Sequence, residues 1–334
     1  MRHAAKFFAL SAALCLVACA PGDPGNGGHN TGDDDDTTHT PDAGDPNAGF
    51  IDATPFIDGG GFVDGGGQNG ACDKIDILFV VDNSSSMEDE QASLRDAFPM
   101  FLQVIENYVT RAGTHLDYHI GITTTDHGGP LSLNDDGQFV VQDRGLFFID
   151  CGFPTGRRYL QTGDPDVGTK FKCAADVSTS GSGFEMELEG ARLALTDRIS
   201  GSNPTNAGFL RDDALLALVM LTDENDCSTI AKPTGTPASY CSGNLEPTHN
   251  YVAAFDAVKG GERGRWATAI IAIPPGSGSC AGTGSSENVR LKAFADETGA
   301  NAVFSNLCTG NMPQALMNAF DTFSTACENI PPVN

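Results

Sequence analysis

The sequence predicts an α/β fold: a doubly wound, mostly parallel sheet flanked by helices, with disulfide-pinned insertions. Three observations lead there. The runs Asp76-Ile77-Leu78-Phe79-Val80-Val81 and Leu215-Leu216-Ala217-Leu218-Val219-Met220-Leu221 are apolar without helical period, which suits strands buried on both faces. Such runs alternate with segments of amphipathic helical spacing, the pattern of a sheet covered by helices. Ten cysteines are present, and setting aside Cys15 and Cys19 near the amino terminus leaves an even set of eight for bridges.

In chain order, the first strand delivers Asp82-Asn83-Ser84-Ser85-Ser86-Met87 into a turn. Ser86 is placed to cap the next helix, with Asp89 in the capping-box position. That helix runs from residue 87 to about 110, with Leu94, Phe98, Phe101, Leu102 and Ile105 on one face and a kink or break expected at Pro99. Residues 118–126 form the next strand. After the turn Asn134-Asp135-Asp136-Gly137, residues 138–141 and 145–149 read as short edge strands. Residues 150–182 are rich in Gly, Pro and Cys, without clear periodicity, and read as a pinned insertion. A helix ending at Leu195 leads to the second apolar run. A helix near residues 250–259 follows, then a strand over 266–273 halted by Pro274-Pro275. A helix over about 286–297 and a strand at 302–304 come next. Asn311 caps a final helix with Pro313 in its first turn and Leu316, Phe320 and Phe323 facing the sheet.

The amino terminus has a different character. Basic Arg2 and Lys6 precede an apolar stretch that closes with Leu16-Val17-Ala18-Cys19. Residues 1–18 are thus expected to be a secretory signal, too short for a permanent span. The ending resembles a bacterial lipobox, which implies cleavage before Cys19, lipid attachment to Cys19, and an anchored protein without a spanning helix. With Ala20 following, sorting by analogy favours the outer membrane of the cell envelope. Residues 19–71 are expected to be a disordered acidic tether, since residues 20–71 hold ten aspartates, no Lys or Arg, and many Gly and Pro. Residues 72–334 form the folded domain.

Formal net charge is −25. With +2 on the first 19 residues and −10 on residues 20–71, −17 remains on the domain, which excludes nucleic-acid binding through phosphates and favours attraction of divalent cations. No pair of cysteines has C-x-x-C spacing, so a zinc site is not expected. Eight cysteines allow 105 connectivities, and placement narrows them. Cys72 and Cys327 fall at the bottom of the sheet, and Cys280 and Cys308 follow two late strands at its top. Cys151 with Cys173 and Cys227 with Cys241 would close local insertions.

Asp82-Asn83-Ser84-Ser85-Ser86-Met87, after a buried strand, resembles the metal-ion-dependent adhesion site of von Willebrand factor A domains, and Leu215 to Leu221 followed by Thr222-Asp223 resembles the later strand of that family ending in T-D. The resemblance implies that Ser84 and Ser86 coordinate a divalent cation directly and that Asp82 and Asp223 hold it largely through water. It also implies that the ion's open position accepts an acidic side chain of a protein partner. A hard cation such as Mg²⁺ prefers oxygen ligands and keeps several waters; Ca²⁺ and Mn²⁺ are alternatives. The family's third loop supplies a threonine, whereas this chain has Ser178-Thr179-Ser180-Gly181-Ser182-Gly183-Phe184-Glu185. Glu185 falls nearest the expected ligand, with Ser182 the other candidate. A third carboxylate at the ion would hold it more tightly and make it less electrophilic toward an acidic ligand.

These residues point to a lipid-anchored envelope protein that binds an unidentified envelope or surface protein, rather than to an enzyme. Two alternatives compete. A haloacid-dehalogenase-type, Mg²⁺-dependent phosphatase needs an acid two residues after its nucleophilic Asp, and Ser84 stands there, unable to act as a carboxylic acid does. An inert envelope scaffold would be stabilised by its disulfides alone. No G-x-S-x-G elbow is present, and His115, His119, His127 and His249 show neither ligand nor triad spacing.

Overall fold

The computed structural model describes residues 72–127, 135–145, 148–232, 234, 236, 241–243, 245–278, 280 and 285–331. The signal, Cys19 and the tether lie outside the described residues. A six-stranded sheet has the order β3-β2-β1-β4-β5-β6. Its strands are β1 (Lys74–Val81), β2 (Asp117–Thr124), β3 (Leu160–Gln161), β4 (Leu215–Leu221), β5 (Trp266–Ala272) and β6 (Ala302–Asn306). All neighbours pair in parallel except β3, which lies antiparallel on β2. The order reverses between β1 and β4, and in open α/β sheets the crevice beyond the carboxyl ends at such a switch point is where ligands bind.

Alternation along β1 builds both layers. Ile75, Ile77, Phe79 and Val81 face one side, where they pack with α1 (Glu88–Asn107), α2 (Val167–Ala174) and α7 (Met312–Glu328). Leu78 and Val80 face the other, with α3 (Glu187–Leu195), α5 (Thr248–Val258) and α6 (Val289–Thr298). A single turn, α4 (Asp197–Ser200), follows α3. Phe79 is fully buried and meets Phe98, Phe101 and Phe171 edge-on, each such ring contributing about 1.5–3 kcal/mol by burial. Asn311 caps α7 through Gln314 N at 3.2 Å, and Leu316, Phe320 and Phe323 are buried against the sheet.

Several expectations are corrected. Helix α1 is continuous through Pro99; that residue is exposed, so the carbonyl of Arg95 that loses its intrahelical donor can face water. Ser86 does not cap α1, whose N-cap is Met87 without a side-chain hydrogen bond, because the Ser86 hydroxyl donates to Asp223 instead. Among the described residues, 138–150 form no edge strands. They approach β2 by single bonds such as Val140 N to Ile122 O at 2.8 Å, and pair with one another at the isolated bridge Gln142↔Asp150. The true edge strand, β3, comes from the insertion, which also contains α2.

Four disulfides join Cys72 to Cys327, Cys151 to Cys173, Cys227 to Cys241 and Cys280 to Cys308. Among the described residues no helix is long and apolar enough to cross a membrane.

Candidate metal centre

The β1–β4 register pairs Val81 with Leu221, so the next residues, Asp82 and Thr222, leave the sheet side by side. Sheet hydrogen bonding continues one step further, from Asp82 N to Leu221 O at 3.0 Å and from Thr222 N to Ile271 O at 3.2 Å. Both loops are therefore fixed where they begin. The Asp82 carboxylate is fully buried and accepts Ser84 N on one oxygen and the Thr222 hydroxyl on the other, each at 2.7 Å. Ser84 Oγ lies 3.2 Å from Ser86 Oγ, and Ser86 Oγ donates to Asp223 Oδ1 at 3.1 Å. Asp82, Ser84, Ser86 and Asp223 thus form one connected group at the carboxyl edge of the sheet.

Glu185 joins it from the loop before α3. It is fully buried, accepts the Thr125 hydroxyl at 2.6 Å, and lies close enough to Asp82 for the two carboxyl groups to perturb each other. Ser182 sits nearby, but its hydroxyl accepts Phe184 N within its own turn, and its N–H is given to Asp126. Gly181 N donates to Asn83 O at 2.9 Å, and a Cβ at Gly181 would stand 2.3 Å from the Asn83 side chain. That approach requires glycine. Gln91 ties the two loops together, its amide donating to Asp82 O at 2.9 Å and Ser178 O at 2.8 Å.

Electrostatics follow from this crowding. Burial first, then the charge of Asp82, pushes Asp223 up to about 6. Burial also raises Asp82, opposed by the nearby Glu185 carboxyl and by the hydrogen bonds from Ser84 and Thr222. Glu185 is raised well above the usual carboxylate range by burial, Asp82 and Glu187. Glu224, on the rim, reaches about 7 for the same reasons. Buried carboxylates this close must hold a proton or face a cation.

The residues fit an ion. Asp223 Oδ2 and Glu185 Oε1 are buried and receive no hydrogen bond among the described residues, and every donor is an oxygen, as a hard cation requires. Among the described residues, no group of three or more His, Cys, Asp or Glu could hold a metal ion by those side chains alone. An ion here would depend on the two serine hydroxyls and on water. Sequence reasoning missed Thr222, Thr125, Gln91, Asn83 and Glu187. Only Thr222 carried a signal, as the residue facing Asp82 once the two strands are aligned. Among the histidines, His119 bonds Phe209 O and His127 bonds Asp136, so both are engaged in the fold.

No family model matches the sequence, and no curated protein matches it. Solved structures similar to the chain include proximal thread matrix protein 1 from the mussel byssus, at 12% identity and TM-score 0.39, with 75% of this chain and 48% of that one covered. A form of the same protein with a zinc-occupied MIDAS motif aligns with the same values. The pilus adhesin SpaC from Lactobacillus rhamnosus GG aligns at 11% identity and TM-score 0.39, with 77% of this chain and 31% of that one covered. The chain spans less than half the length of these proteins, and similarity this low carries no inference about function.

Proposed function

We propose that the chain is a lipid-anchored protein of the bacterial cell envelope whose A-type domain binds a protein partner through a divalent-cation site. One observation carries the reading: Asp82, Ser84, Ser86 and Asp223 converge at the switch point with two buried, undonated carboxylate oxygens beside them. Ser84 and Ser86 would contact the ion directly, Asp82 and Asp223 would hold it largely through water, and Glu185 would add a fifth group. When bound, the ion supplies a Lewis-acidic position for an oxygen of the partner; Mg²⁺ suits the donors, with Ca²⁺ or Mn²⁺ as alternatives. Thr222 fixes Asp82, while Gln91 and Gly181 hold the surrounding loops in register. Ser84 stands where a phosphatase needs a carboxylic acid, which favours a binding role over an enzymatic one.

Thermal melts of the full chain in Mg²⁺, Ca²⁺ or Mn²⁺ against chelator test this reading. Saturation a hundredfold above the dissociation constant stabilises the fold by about 2.7 kcal/mol, and Asp82→Ala removes the gain. Identical midpoints in every condition would favour an inert disulfide-bonded scaffold. The anchor is checked separately by mass spectrometry, with a lipid-modified Cys19 at the mature amino terminus expected and an unmodified Cys19 in the membrane fraction refuting it.

A further inference from the structure

Beside the candidate metal centre, a cavity of about 170 Å³ opens between the first turn of α1 and the connection from β6 to α7. It is well short of the roughly 300–1,000 Å³ typical of small-molecule and cofactor sites, and its size suits a single side chain. Its walls differ in character. Ile271, Leu307, Met312 and Ala315 supply an apolar lining, and Asp89 and Glu90 supply two carboxylates. Neither carboxylate has a Lys or Arg partner among the described residues; Arg95 of the same helix, Lys172 and Arg290 pair instead with Asp176, Asp96 and Asp226. Glu90 Oε2 is buried and receives no hydrogen bond. The charge of Glu90 is felt at Asp223, so the cavity and the candidate centre adjoin.

We propose that this cavity is a specificity pocket for an arginine or lysine side chain of the protein partner. Its aliphatic stem would pack on Ile271, Leu307 and Met312, and its cationic head would meet Asp89 and Glu90. Long basic side chains combine an apolar stem with a charged tip, which is the complement of these walls. Charge also argues against an acidic ligand. With an ion bound, Asp82, Asp223 and Glu185 would already place three carboxylates around it, with Glu90 and Glu224 close by. A further carboxylate would meet net repulsion, whereas a neutral oxygen next to a basic side chain would not. The inference relies on the metal reading only for which face the partner approaches.

The test uses the full-length chain with ¹³C-labelled methionine methyls. A short Gly/Ser peptide carrying one central arginine is titrated in, alongside otherwise identical peptides carrying citrulline, glutamate or norleucine. Met312 reports the cavity and Met87 reports the metal loop. The arginine peptide should shift the Met312 methyl at least tenfold more tightly than the other three. Asp89→Asn with Glu90→Gln should weaken it at least tenfold, Ser93→Phe at the cavity mouth should block it, and Asp96→Asn, on the same helix away from the cavity, should leave it unchanged. An unmoved Met312 methyl overturns the proposal, as do equal responses to citrulline or norleucine, tighter binding of glutamate, or indifference to the double variant. Metal melts are run on the same samples. Stabilisation by Mg²⁺ without arginine binding sinks the pocket alone; arginine binding without Mg²⁺ stabilisation sinks the metal reading alone.

Discussion

Protons and metal should compete for the candidate centre, and the competition has a calculable size. Asp223 titrates at about 6 in the folded chain against a usual value of 3.8. The folded state therefore keeps a proton that the unfolded state has released between these values. Stability from this group is full below pH 3.8, falls as pH rises through the window, and is gone above about 6. The gap corresponds to roughly 3 kcal/mol as an upper bound, reduced to roughly 1–2 kcal/mol by solvent at the open face of the site. Adding Mg²⁺ reverses the preference, because the ion takes the ionised carboxylate. Each proton displaced below pH 6 then costs about 1.4 kcal/mol, or tenfold in apparent affinity, per pH unit. Melts at pH 5, 6, 7 and 8, in chelator and in Mg²⁺, should show a metal gain that grows from pH 5 to 7 and then levels off. Asp223→Asn isolates the component: in chelator it should be more stable than the wild type at pH 8, with little difference at pH 4, and Mg²⁺ should not raise it. A metal gain at pH 5 equal to that at pH 8, or a wild-type and Asp223→Asn difference in chelator that does not change with pH, would refute the reasoning.

Three further outcomes are expected. Asp76→Asn should cost about 3–5 kcal/mol in urea denaturation, since Asp76 is fully buried and accepts both the Arg211 N–H and its guanidinium at 2.7 Å, leaving that guanidinium the half-exposed Asp117 as its remaining anionic partner; a cost below about 1 kcal/mol would show that Asp117 and water suffice for Arg211. Gly181→Ala should destabilise the fold by about 1–3 kcal/mol through the clash with Asn83 and reduce the Mg²⁺ gain in melts, because the loop bearing Glu185 must move. Thr222→Val removes the hydroxyl given to Asp82 and should cost about 1–3 kcal/mol while weakening Mg²⁺ in titration calorimetry; unchanged affinity would show that Thr222 does not position Asp82.

The sheet, and the placement of Asp82 and Asp223 at one edge of it, were legible because they depend on local pattern. An apolar run ending in a carboxylate, met twice, places both carboxylates at the same edge whatever lies between. What failed depended on competition between distant parts. Ser86 has the local context of a cap, but Asp223, 137 residues away, takes its hydroxyl. Residues 138–141 carry the β-forming run Phe139-Val140-Val141, yet the lower edge of β2 is taken by Leu160 and Gln161. Helix α2 was hidden because it is only eight residues long and its N-cap, Asp166, although a cap-type residue, is left-handed and makes no side-chain cap bond. Glu187 looks in sequence like an ordinary acidic residue in a helix's first turn. Its complete burial, with neither carboxylate oxygen receiving a hydrogen bond among the described residues, arises only when the loop carrying Asp226 closes over it.

The bond between Cys72 and Cys327 has a mechanical consequence. It joins the residue just ahead of β1 to the end of α7, with Cα atoms 5.1 Å apart and 255 residues between them. Tension arriving through the chain before residue 72 is divided at that point between a central strand and the last helix. Helix α7 cannot be peeled from its carboxyl end, because that end is fastened to the place where the pull enters. Tension toward the carboxyl edge of the sheet then runs along β1, which is hydrogen-bonded on both sides to β2 and β4. Those bonds are strained together in shear rather than opened one by one. With the bridge reduced, the same pull would act on β1 alone, and forced extension should begin at lower force and release a longer segment.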